Sequence, residues 1–254
     1  YGASDLRVAL KNMAMNTSYF TTAEQGLMNP TTVTTKDTKN NVTYTTTDKL
    51  YALQGDNVKE ASKLWAGTSN STVLARSSYW SSRDEFLLRS PDNNDCSRTL
   101  LTAPGGYVSS YGVDYDGAVQ PASNLNLSSV LFASAAEAAS SNTAELYTIS
   151  LGTTMTLRLD GTGKDIGTVT YNTTTGDIKV VKGNTAQTVS LVVQGNDGTN
   201  DWYYSKQIAG PETVNASDIK STSGIDLSAC KIWLETTDST ENLTYAVNAT
   251  ETAS

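Results

Sequence analysis

The residues best suited to chemistry sit in one stretch, from Tyr79 to Ala133. Asp92-Asn93-Asn94-Asp95 sets four oxygen-bearing side chains in a row. Carboxylate and amide oxygens are what calcium takes, so the run is a candidate calcium site, although it lacks the ligand spacing of an EF-hand loop. The same residues also turn a chain, because Asn and Asp tolerate left-handed backbone and bond their own following N–H groups. Tyr107, Tyr111 and Tyr115 recur every four residues, with Asp114 and Asp116 beside the last. Tyrosine offers a broad rigid contact at low entropic cost, with a hydroxyl at its tip. On loops these rings would form a ligand face; turned inward they would fill a core. The Ser and Gly residues around Tyr111 and Tyr115 favour exposure for those two.

Arg83, Asp84, Glu85 and Arg89 invite reading as an acid–base cluster. Adjacent carboxylates on a strand point to opposite faces, which is poor geometry for a glycosidase pair. Arg89 follows the apolar run Phe86-Leu87-Leu88 and is expected to be partly buried, in a structural role. The chain has no histidine. That removes the commonest general base, the usual partner of a Ser or Cys nucleophile and the commonest zinc ligand. The two cysteines, Cys96 and Cys230, are too few for a metal cage. They either join in a disulfide, which the chain-entropy model values at roughly 4 kcal/mol for so long a loop, or stand as two buried thiols. No catalytic residue, metal or cofactor is expected beyond the calcium reading.

The elements that must position these residues follow from composition and pattern. The 254 residues carry a net charge of −8. No Lys/Arg cluster offers the basic face that nucleic acid requires, nor a polybasic segment for an anionic membrane. No run approaches the ~20 apolar residues of a membrane-spanning helix. Only 17% of residues are charged, 13 are tyrosine, and Thr, Ser, Asn, Gly and Ala dominate. This is the composition of a β-rich extracellular or cell-surface protein. The chain starts at Tyr1, which fits removal of a signal peptide or a trimmed chain.

Residues 4–15 predict a helix, capped by Ser4 or Asp5 and with Leu6, Ala9, Leu10 and Met13 at helical spacing. Thr21 to Glu24 is a capping-box pattern and predicts a second short helix. Thr31 to Thr46 predicts a solvated hairpin about Lys39-Asn40-Asn41, and Lys49 to Leu53 a buried strand. A helix is expected from Asp56 through Trp65, then a loop from Asn70 to Arg76. Residues 134–144, rich in Ala and Ser, read as a linker. Beyond it, about seven short strands separated by Gly, Asn and Asp turns predict an immunoglobulin-like sandwich over 145–254, with a crossover near Ser217 to Leu227.

The segment Leu88-Arg89-Ser90-Pro91, followed by Gly117, Val119, Pro121 and Ala122, resembles the WWLRSPG…GVRPAL pattern of an uncharacterised family of secreted bacterial domains. Phe86 and Leu87 stand where that family has tryptophans, Asp92 where it has glycine, and Gln120 where it has arginine. The resemblance covers about residues 4–133 and by analogy implies a C-type-lectin-like fold. It marks Arg89, Pro91 and Pro121 as structural. The calcium-binding lectin motifs Glu-Pro-Asn and Trp-Asn-Asp are absent.

The expected architecture is thus an α+β, C-type-lectin-like domain over 1–133, the linker, and an all-β immunoglobulin-like sandwich. The expected function is a non-enzymatic surface protein, a self-associating structural subunit of a filamentous or other surface assembly. The alternative is an adhesin-like module that binds a glycan or protein through Asp92–Asp95, Tyr107, Tyr111 and Asp114–Asp116. Neither nucleic acid nor membrane insertion is expected.

Overall fold

A computed structural model describes residues 1–55, 85–95, 97–103, 107–150, 154–219 and 227–253. The expected helix from Asp56 through Trp65, the loop from Asn70 to Arg76, Arg83, Asp84, Cys96 and part of the expected crossover lie outside the described residues. The chain forms two compact units, Tyr1–Asn126 and Leu127–Ser254.

The first unit opens with α1 (Asp5–Met15), whose Ser4 hydroxyl accepts a bond from the Arg7 N–H. Next comes α2 (Thr22–Leu27), with both bonds of the Thr21/Glu24 capping box in place. Strands β1 (Met28–Asn29), β2 (Thr31–Asp37), β3 (Val42–Asp48) and β4 (Tyr51–Ala52) follow. Then come β5 (Leu87–Pro91), β6 (Arg98–Ala103), β7 (Tyr107–Gly112), β8 (Pro121–Ala122) and β9 (Asn124–Leu125). β2 and β3 form a hairpin; β5, β6 and β7 form a meander; β1 pairs with β9, and β4 with β8. Leu53, Phe86, Leu88, Leu100 and Val108 make one small core, and Leu10, Ala14, Met28, Leu50 and Ala52 make another under α1.

The expectation of an α+β lectin-like domain is corrected here. The described residues are mostly strand, and α-helix is confined to three short segments, α1, α2 and α3 (Ala216–Ile219). The helical pattern of residues 4–15 matches α1, but apart from the short α2 the first unit's described elements are strands, several of them pairs only two residues long that the sequence does not mark.

The second unit is a β-sandwich. Its strands are β10 (Val130–Ser134), β11 (Glu145–Thr148), β12 (Thr156–Asp160), β13 (Gly167–Asn172), β14 (Ile178–Lys182) and β15 (Val189–Asn196). β16 (Asp201–Ile208), β17 (Glu212–Val214), β18 (Lys231–Asp238), β19 (Leu243–Asn248) and β20 (Thr250–Thr252) complete it. The larger sheet runs β10-β12-β19-β18-β15-β16-β11, and the smaller β17-β14-β13-β20. The chain passes as hairpins from one sheet to the other: β13–β14, then β15–β16, back through β17, and over to β18–β19. Val169, Tyr171, Ile178, Val180 and Val214 of the smaller sheet meet Leu191, Val193, Trp202, Tyr204, Ile232 and Leu234 of the larger.

The Ala/Ser segment is not a tether between the units. Val130–Ser134, of which the sequence assigns Val130 to Ala133 to the first domain and Ser134 to the linker, is an edge strand of the larger sheet, and β11 lies at the opposite edge. The segment between them therefore crosses the sheet's outer face. Six strand spacings amount to about 29 Å. Ten residues reach that far only when nearly extended, and as a helix they would span about 15 Å. Ala136 packs with Val192, Trp233 and Ala246 on that face. The Ser190 hydroxyl donates to Ala139 O at 3.3 Å, and the Gln207 N–H to Ser141 O at 3.1 Å. Small side chains let this strap lie flat, and its cover explains why five consecutive residues of β15, Val189 to Val193, are all buried.

One buried ion pair fixes the strap. Arg158 Nε lies 3.0 Å from Glu235 Oε2, and both side chains are 2% exposed. Arg158 also donates to Ser134 O at 2.6 Å, to Thr156 O at 3.0 Å and to Ala136 O. The Trp233 indole N–H donates to Glu235, and the Arg158 guanidinium sits 5.7 Å from the Trp233 ring centre. Glu235→Leu strands a buried arginine and should cost about 3–5 kcal/mol. Arg158→Met/Glu235→Leu should recover only part of that, because the Ser134 and Ala136 carbonyls lose their donor. Chemical denaturation of the two variants tests this; full recovery in the double variant would remove the strap carbonyls from the account.

Candidate functional site

The meander β5-β6-β7 carries the candidate residues. The β5–β6 loop is Asp92 to Ser97. There the Asp92 carboxylate accepts the Asn94 N–H at 2.8 Å, and the Asp95 carboxylate accepts the N–H and hydroxyl of Ser97 at 3.0 and 2.7 Å. Bonds from the Asn94 N–H and the Ser110 hydroxyl hold the Asp92 carboxyl below its ordinary range, and bonds from Ser97 do the same for Asp95. These oxygens close the loop on itself. Asn94 is exposed, while Asp92, Asn93 and Asp95 are half-buried. Among the described residues no three Asp, Glu, Cys or His side chains cluster as metal ligands.

Tyr111 and Tyr115 come together. Val108 of β7 faces the small core, so Tyr111, three residues on, stands on the opposite face of the strand. Gly112 then starts a tight turn in which Tyr115 N–H donates to Gly112 O at 3.0 Å. A Cβ at Gly112 would come 2.4 Å from Asp114 Oδ1, a contact that a shift of the exposed Asp114 side chain would relieve. It brings the two rings to 4.7 Å between centres, tilted by 35°. Both residues are 37% exposed, and Val113 between them is 67% exposed. The Tyr115 hydroxyl donates to the Glu85 carboxylate, which pushes its phenol pKa up. Asp114 and Asp116 are exposed beside the pair. Tyr107 lies in β7, and its side chain is outside the described set.

Glu85 and Val113 are the members that sequence reasoning missed. Glu85 is 30 positions from Tyr115, and only the parallel bridge between Phe86 and Ala118 brings them together. A stacked pair also forms in the second unit, where Tyr147 lies on Tyr203 at 4.9 Å between ring centres.

Arg89 and Pro91 lie in β5 and Pro121 in β8. Arg89 is 2% exposed. It donates to Ala52 O at 2.7 Å and to Gln54 Oε1 at 2.8 Å, and its guanidinium lies 5.9 Å from the Tyr51 ring centre. Burial pulls its pKa down to about 10, against the opposing pull of Tyr1 and Tyr51. Pro121 of β8 sits opposite Ala52 in β4, and Pro91 sits opposite Thr99 of β6. Arg89 thus joins β5 to the β4–β8 pair. Cys230 is half-buried at the edge of the sandwich core, and its pairing with Cys96 lies outside the described residues.

No protein-family model, curated protein or solved structure matches the chain.

Arg89→Ala should lower stability by about 2–3 kcal/mol, since it removes charge-assisted bonds to buried oxygens. Arg89→Lys should retain only part, because an ammonium cannot span two acceptors as the planar fork does. Thermal melting of both variants checks the order, wild type above Lys above Ala.

Proposed function

We propose that this chain acts by non-covalent binding at the bacterial cell exterior and not by catalysis. The Tyr111–Tyr115 pair carries the reading. Two adjacent rings that keep more than a third of their surface in water offer stacking area for a sugar face or a protein side chain. Glu85, Asp114 and Asp116 beside them supply acceptors for ligand hydroxyls or amides. The rings are held before any ligand arrives, by the Gly112 turn and the bond to Glu85. A preorganised contact loses less entropy on binding. The lack of histidine and the Ser-, Thr- and Asn-rich composition support the non-enzymatic, extracellular part of the reading.

A structural role in a surface or filamentous assembly is the second reading. It is favoured by sheet edges that stay exposed, above all β3, which presents backbone groups for strand addition.

Binding to a glycan array and to immobilised host surface proteins tests the first reading. Tyr111→Ala/Tyr115→Ala should weaken the wild-type signal at least ~30-fold, the equivalent of about 2 kcal/mol for a central aromatic contact. Melting should stay within about 1 kcal/mol of wild type, as befits exposed positions. Equal binding by the variant, or no binding by wild type to either panel, would sink the proposal.

A further inference from the structure

We propose that β3 is a homodimerisation edge, pairing antiparallel with β3 of a second copy about a two-fold axis at Tyr44. A strand edge carries a row of unpaired N–H and C=O groups, and proteins guard such edges with charge, proline, bulges or short length. Among the described residues the other edges, β7 apart, carry such guards. β1, β4, β8 and β9 are two residues long. β17 and β20 have three residues and include Glu212 and Glu251, and β11 has four and includes Glu145. β10 and β5 are irregular in register, and β5 ends at Pro91. β2 carries Lys36. β7 is uncharged, but its Val108 is buried and Ser109 and Ser110 are half-buried.

β3 has none of these guards. It pairs with β2 in unbroken register over seven residues, from Val42 opposite Asp37 to Asp48 opposite Thr31. Val42 to Thr47 holds no charge and no proline. Val42 through Thr45 and Thr47 are exposed, and two of them are large and apolar, Val42 at 39% and Tyr44 at 43%. Its one carboxylate, Asp48, is buried against Arg7 at 2.9 Å.

The occupant follows from charge. A chain with net charge −8 repels its copies, and contact is easiest where neither partner adds charge. β3 is such a strand, and a second β3 is an equally uncharged one with the same free edge. The register follows from the pleat. Residues opposite each other must share a face, so a two-fold axis across the pair has to place one residue opposite its own copy. Centred on Thr45, the pairing would set Val42 against Asp48, which is already bound to Arg7. Centred on Tyr44, it sets Tyr44 against Tyr44 and Val42 against Thr46. An aromatic pair and an aliphatic–Thr pair are both favourable across strands. The result is a closed four-stranded sheet, β2-β3-β3-β2, and it would present two copies of the tyrosine platform.

Sedimentation velocity across a dilution series should show a monomer–dimer equilibrium. Tyr44→Lys sets an ammonium against its own copy and should weaken dimerisation roughly tenfold or more. Its circular dichroism melt should match wild type, because Tyr44 is exposed. Oxidation should cross-link Tyr44→Cys into a dimer on a non-reducing gel, and Val42→Cys should give no more dimer than wild type. The proposal is overturned by any of four results: a wild-type chain that is monomeric throughout, open-ended growth, a Tyr44→Lys variant that dimerises as wild type does, or Val42→Cys cross-linking as readily as Tyr44→Cys.

Discussion

The second unit depends on Arg158 and Glu235. Neither is there for its charge alone. A segment that crosses a sheet face, instead of joining it as a strand, leaves carbonyls against an apolar surface with no ladder partner, and each such group costs free energy if unmet. Arg158 answers that problem with its fork of donors, which reach Ser134 O, Thr156 O and Ala136 O. The arginine in turn needs a counter-charge in the same dry layer. Glu235 provides it from β18, and its remaining capacity is taken up by the Trp233 indole N–H. Such a pair adds little net stability over a hydrophobic substitute, because desolvation offsets the Coulombic gain. What it adds here is register: the strap has one place to lie. The outer face of the larger sheet is closed as a consequence, and Trp233 is fully buried on a side that would otherwise be wet.

The first unit repeats the device with a different partner. Arg89 also lies buried and gives its donors to Ala52 O and Gln54 Oε1. There a tyrosine face takes the place of the carboxylate, with the guanidinium 5.9 Å from the Tyr51 ring centre. β4 and β8 are only two residues long, so they cannot hold together through their own ladder. An arginine that ties β4 to β5 does part of that work. The positions shared with the LRSP…G·V·PA pattern, Arg89, Pro91, Pro121 and Ala122, gather around this junction. Pro91 stands opposite Thr99, which in turn stands opposite Tyr111, so the tyrosine turn starts at the Pro91 end of the meander.

What was legible in the sequence was local. Ser4 and the Thr21–Glu24 box marked the helix starts because capping is written within four residues. The hairpin about Lys39-Asn40-Asn41 and the strand runs after residue 155 were legible for the same reason, since turn chemistry and period-two alternation are short-range signals. Tyr111 and Tyr115 were correctly set apart by their Ser and Gly neighbours. What failed was long-range. ASAAEAASSN has the composition of a flexible tether, and a thin strap needs the same small residues. Only Arg158, more than 20 positions on, and Glu235, 77 beyond that, tell the two apart. The lectin-like expectation failed for a related reason. It rested on motif residues, and those residues fix a strand junction that a mostly β unit can also contain.

Asp92–Asp95 and the tyrosine pair differ in how much of each the fold itself uses. Four oxygen-bearing residues in a row suit a turn first, with calcium as the lesser alternative. The Asp92 carboxylate accepts the Asn94 N–H, and the Asp95 carboxylate accepts the Ser97 N–H and hydroxyl, which is the bonding of a turn, and among the described residues no third carboxylate joins them as a metal ligand. The tyrosine pair is the opposite case. Its rings contact one another and the Tyr115 hydroxyl reaches Glu85, yet both residues keep 37% of their surface exposed. A surface that the fold positions but does not use is where binding energy remains available, which is why the functional argument rests on Tyr111 and Tyr115 and not on the acidic loop.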